Sequence, residues 1–73
     1  MKHSLTAQIE EVEFEIRQRG GVYTRLVASR RMRQSVADLH MARMQAVLAT
    51  LRWLQTNEGE VRAFVASRKG SEA

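Results

Sequence analysis

The sequence predicts an all-α domain: an antiparallel helical hairpin with a short connecting helix and a short C-terminal helix, dimerising into a four-helix arrangement. Three observations carry this expectation. Apolar residues recur at alternating steps of three and four in two separate segments, which places them along one side of a helix. A Gly20-Gly21 pair stands between those segments. No stretch alternates apolar and polar residues as a half-buried strand would, and proline is absent from the 73 residues.

The first segment places Leu5, Ile9, Val12 and Ile16 in one narrow stripe while Glu10, Glu11, Glu13 and Glu15 occupy the other sides. It reads as a helix from about 5 to 18, with Ser4 or Thr6 as N-cap, since a hydroxyl there accepts an orphan backbone amide. Phe14 falls opposite the stripe and is expected to be exposed or covered by a following loop. Two consecutive glycines cost about 1 kcal/mol each inside a helix relative to alanine, so the first helix is expected to stop at Gly20. Val22, Tyr23, Leu26 and Val27 then suggest a short helix from about 22 to 29 before the polar string Ser29-Arg30-Arg31.

The long helix, from about 33 to 55, has the clearest pattern. Ala37, His40, Met44, Val47, Leu51 and Leu54 form the expected seam, with Met41 and Leu48 beside it. That face is broader than a narrow-striped partner helix can cover, and a chain this short rarely gains more than about 3 to 5 kcal/mol from one core. Self-association is therefore expected, with Met41, Met44, Leu48, Leu51 and Trp53 as the candidate dimer or partner-binding residues. Trp53 projects off the seam, where it either anchors a dimer or tucks against the last helix. Asn57 with Glu60 resembles a reciprocal capping arrangement opening a terminal helix near 58 to 68, and residues 69 to 73 are expected to be a frayed tail on a single domain spanning 1 to 73.

Charge is segregated along the chain. Residues 1 to 16 sum to −3 and residues 17 to 34 to +6, within an overall net charge of +4. The acidic segment can attract the basic one within a chain or between antiparallel copies. Arg25, Arg30, Arg31 and Arg33 supply the competing functional reading, nucleic-acid binding, because arginine forks match phosphate oxygens. A helix-turn-helix is the sharper form of that idea, but the second helix would present Arg33, Gln34, Ser35 and Asp38 and is longer and more apolar than a recognition helix needs to be.

Chemistry-bearing motifs are sparse. Cysteine is absent, which removes disulfides, thiolate metal sites and thiol nucleophiles and fits a reducing cytoplasm. His40 is followed at three and four residues by Arg43 and Met44, and His3 stands near the terminus, so no metal-ligating pair is expected. The glutamates at 10, 11, 13 and 15 read as a solvated helix face, and Gly20-Gly21 lacks the lysine of a phosphate loop. No catalytic residue, metal or cofactor is expected, and the chain reads as non-enzymatic. Without an apolar run of about 18 uncharged residues it reads as a soluble, unexported, cytoplasmic protein, and no membrane-surface role is expected because the arginines do not stand opposite a continuous apolar face.

Glu15-Ile16, Val22-Tyr23-Thr24-Arg25, Val27-Ala28-Ser29-Arg30-Arg31-Met32, Ala37-Asp38 and the run from Met44 to Leu51 together resemble a group of small helical proteins of phage and prophage-like regions of proteobacteria. The similarity extends from Ile9 to Leu54 and departs at Thr24, where proline is usual, and at Arg30, where glycine is usual. It implies a phage-associated origin and a helical hairpin with a structured connection. It implies no activity or ligand. The leading functional expectation is a protein-interaction module, an adaptor or small regulator acting as a homodimer on a protein partner.

Overall fold

The computed structural model describes the backbone of residues 3 to 72 and the side chains of residues 3 to 68. Three helices follow one another: α1 at Leu5–Ala28, α2 at Gln34–Thr56 and α3 at Glu58–Glu72. No strand occurs among the described residues. Helix α3 continues through residues 69 to 72, past its expected end near 68 and into the expected tail, and Ala73 lies outside the described residues.

Helix α1 begins where its cap chemistry places it. Ser4 is extended (φ −70°, ψ 160°), and its hydroxyl accepts the Ala7 amide at 3.0 Å. The expected stop at Gly20-Gly21 does not occur, and there is no separate connecting helix: α1 runs through both glycines for 24 residues. Neither glycine adopts a positive φ. The residues beyond them explain why. Tyr23, Leu26 and Val27 continue the inward stripe of Leu5, Ile9, Val12 and Ile16, so stopping at Gly20 would forfeit their packing against α2. Full burial of such a side chain is worth about 1.5 to 3 kcal/mol, so three half-buried ones together offset two glycine penalties of about 1 kcal/mol.

The chain reverses beyond Ala28 through a Schellman turn. The Arg30 amide donates to the Val27 carbonyl (3.1 Å) and the Arg31 amide to the Leu26 carbonyl (2.9 Å). These bonds satisfy carbonyls that the end of α1 leaves open, and they require a left-handed residue, which is Arg30 at φ 63°.

Helix α2 returns antiparallel to α1. Gln55 donates to the Thr6 hydroxyl at 2.9 Å and Arg52 to Glu13 at 2.9 Å, while the Tyr23 and His40 rings lie 6.1 Å apart nearer the turn. The inward line of α2 differs from the expected seam. Ala37 and Leu48 are buried and Met41, Met44, Leu51 and Leu54 half-buried, whereas His40 and Val47 are exposed. The seam thus runs through Met41 and Leu48, one position along from the expected His40 and Val47.

At Asn57 the helical ladder is interrupted (φ −105°, ψ 13°). The expected capping box is not formed: the Asn57 side-chain amide turns back and donates to the Trp53 carbonyl at 2.8 Å, closing the end of α2. Helix α3 then leads away from the hairpin. Helix α2, 23 residues long, spans about 35 Å, yet the molecule measures 58 × 20 × 18 Å, so α3 extends the long axis and touches the end of α2 without reaching α1.

Candidate interaction surfaces

The hairpin buries little. Only Leu5, Ile9, Ala37 and Leu48 are buried among the described residues. Of the five candidate interface residues, Met41, Met44, Leu48 and Leu51 face α1 and form the intrachain seam, and Trp53 alone is exposed, at 60%. Trp53 does not tuck against the last helix. Phe14, expected outside the α1 stripe, is exposed.

A second apolar surface runs along the opposite side of α2 and onto α3. Val36, Leu39, Val47, Trp53, Phe64 and Val65 are all exposed. At about 100° per residue, the four on α2 lie a quarter turn or more from the line of Ala37 and Leu48, facing away from α1. Phe64 and Val65 share one side of α3 with the half-buried Val61, and the Arg68 guanidinium lies 5.7 Å from the Phe64 ring centre. Periodicity could have shown this surface, since α2 carries large apolar residues beyond the stripe that meets α1.

The charge geometry separates into paired and unpaired groups. Glu13 bonds Arg52, Glu15 bonds Arg19 at 3.3 Å and Glu58 bonds Arg62 at 2.7 Å. Arg19 also donates to the Tyr23 hydroxyl at 3.5 Å, and that bond, with Glu15 second, raises its pKa above the ordinary arginine value. Two of the four α1 glutamates thus engage Arg52 and Arg19. Arg25, Arg30, Arg31 and Arg33 cluster where α1 turns into α2, all exposed, and none bonds a carboxylate among the described residues. No acidic residue occurs between Glu15 and Asp38.

Beside this tip lies an open cleft of about 330 Å³ between the end of α1 and the start of α2. Gly20, Val27, Ala28, Ala37 and Met41 form its apolar wall, and Tyr23, Thr24, Gln34 and Asp38 its polar edge. Thr24 donates back to the Gly20 carbonyl at 2.8 Å and Gln34 to the Asp38 carboxylate at 2.8 Å, so both polar groups are engaged within their own helices. The sequence reading missed this cleft. Its one signal was Gly20, whose missing side chain opens space at the level of Met41. His40 lies outside it, beside Tyr23, and no three potential metal-ligating side chains converge among the described residues. No described helix is long and apolar enough to cross a membrane. Comparison with protein families, curated proteins and solved structures returns no match to this chain.

Proposed function

We infer that this protein is a small non-enzymatic interaction module that acts through helix–helix association, first of all with itself. The carrying observation is the imbalance between what the fold buries and what it leaves bare: among the described residues, four buried apolar side chains against eight large apolar ones in solvent, six of them on α2 and α3. A single-core domain of this size sits near the margin of stability, and large apolar side chains left together in solvent mark an interaction site. The bare surface supports a role as an adaptor or small regulator, and the sequence resemblance supports its action from a phage-derived locus. Sedimentation equilibrium across micromolar concentrations tests it. Mass rising from 8.4 kDa towards twice that value is expected, and a concentration-independent 8.4 kDa species overturns it.

The unpaired arginine tip favours a second reading, nucleic-acid binding through Arg25, Arg30, Arg31 and Arg33. Binding that rests on phosphate contacts weakens steeply with salt, whereas an apolar interface does not. A duplex and a single strand of arbitrary sequence, titrated at about 50 and about 200 mM salt, decide between the two. Binding that falls by orders of magnitude with salt and vanishes in the Arg30→Ala/Arg31→Ala/Arg33→Ala variant would make this the primary function.

A further inference from the structure

We propose that the exposed α2–α3 surface is covered by the same surface of a second copy running antiparallel, so that α3 of each chain lies along the first half of α2 of the other. This rests on the self-association inferred above and adds its orientation and register.

The shape of the chain gives the first argument. Helix α1 covers one side of α2 but never reaches α3, which leaves Phe64 and Val65 without an intrachain neighbour beyond α3 itself and the end of α2. At the other end of the rod, Val36 and Leu39 are exposed too. A two-fold axis near the middle of the rod brings each bare end onto the other, and a self-complementary patch is what such an axis requires. A rod 58 Å long and about 10 Å wide offers on the order of 600 Å² of face per copy, near the ~800 Å² of a standard interface.

Charge supplies the second argument, through one opposite-charge pair that the antiparallel arrangement forms twice. Setting Leu39 opposite the second copy's Phe64 places Arg43 beside the second copy's Glu60 and Thr50 beside the second copy's Trp53. Arg43 and Glu60 are both exposed, and neither forms an ion pair with any described residue. A two-fold axis makes that pair twice. A parallel arrangement would instead set Arg43 against Arg43 and bring two tips carrying Arg25, Arg30, Arg31 and Arg33 side by side. The antiparallel one puts the tips at opposite ends of the rod, beyond the reach of the ~8 Å screening length at physiological salt.

Because the chain contains no cysteine, single introduced cysteines report on orientation directly. Leu39→Cys and Phe64→Cys are at exposed positions, and circular dichroism verifies that each variant keeps its helix content. In the proposed register the two copies of position 39 lie about 37 Å apart, far outside disulfide reach. Under mild oxidation, at a concentration where the unaltered chain sediments as a dimer, neither variant alone should cross-link and their mixture should. Self-linking of Leu39→Cys or of Phe64→Cys overturns the orientation while leaving self-association standing, and so does a dimer in which the mixture fails to link. A chain that sediments as a monomer overturns both. Independently, Arg43→Glu and Glu60→Arg should each weaken dimerisation by about tenfold, and the double reversal should restore it. Additive losses in the double variant refute the register.

Discussion

A methyl group placed on the Gly20 Cα would lie 3.9 Å from Met41 Cε, an ordinary van der Waals distance. The helices therefore approach here with room for one more carbon, and Gly20 is not required by close packing. Gly20→Ala should stabilise the hairpin by about 1 kcal/mol through helix propensity, raising the melting temperature by roughly 4 to 8 °C. Thermal denaturation followed by circular dichroism checks this, and a loss of stability would show that α1 needs a flexible joint at this point.

Arg30 holds the left-handed position of the Schellman turn at φ 63°. A side chain costs about 1 kcal/mol there, and glycine removes the strain while adding some unfolded-state entropy. Arg30→Gly should therefore raise the urea midpoint slightly, by up to about 0.5 kcal/mol in stability. Arg30→Val, β-branched at the same position, should lower it by more than Arg30→Gly raises it.

The two apolar surfaces of α2 should separate in their concentration dependence. Leu48, 5% exposed, belongs to the chain's own core, and Leu48→Ala should cost about 2 to 5 kcal/mol at every protein concentration. Trp53→Ala should change stability by less than about 0.5 kcal/mol where the chain is dilute and monomeric, and lower it only where association contributes. Denaturant titrations at low and high micromolar concentration distinguish the two.

The Glu13–Arg52 ion pair ties α1 to α2 across 39 residues of sequence, but both side chains remain substantially open to solvent. A double-mutant cycle with alanine at each position should give a coupling of only about 0.2 to 1 kcal/mol, shrinking as salt is raised. A coupling above about 2 kcal/mol would mean that the pair is shielded by an association partner.

The Ser4 cap and the stripe from Leu5 to Ile16 were legible in the sequence because they depend on local chemistry and on one unambiguous period. The seam of α2 was legible in part. Ala37, Met44, Leu51 and Leu54 lie on it as expected, but Met41 and Leu48 fit the helical repeat as well as the exposed His40 and Val47 do, and periodicity cannot say which of two adjacent lines meets α1. The position of the turn was misread for a related reason. A glycine pair is the strongest local break signal, but tertiary packing by Tyr23 and Val27 carried α1 past it, and the left-handed residue proved to be an arginine. Of the candidate interface, the location of Trp53 outside the seam was readable. The exposure of Phe64 and Val65 was not, since it follows from α3 leading away from the hairpin at Asn57.

Trp53 is the chain's one tryptophan, and its indole stands in solvent one turn before the interruption at Asn57. The molecule thus carries a built-in optical probe on its bare surface. In dilute solution its emission should lie towards the red and be readily quenched by acrylamide. Any partner that settles over the junction of α2 and α3 should shift that emission to shorter wavelength and shield it from the quencher, without a label being attached.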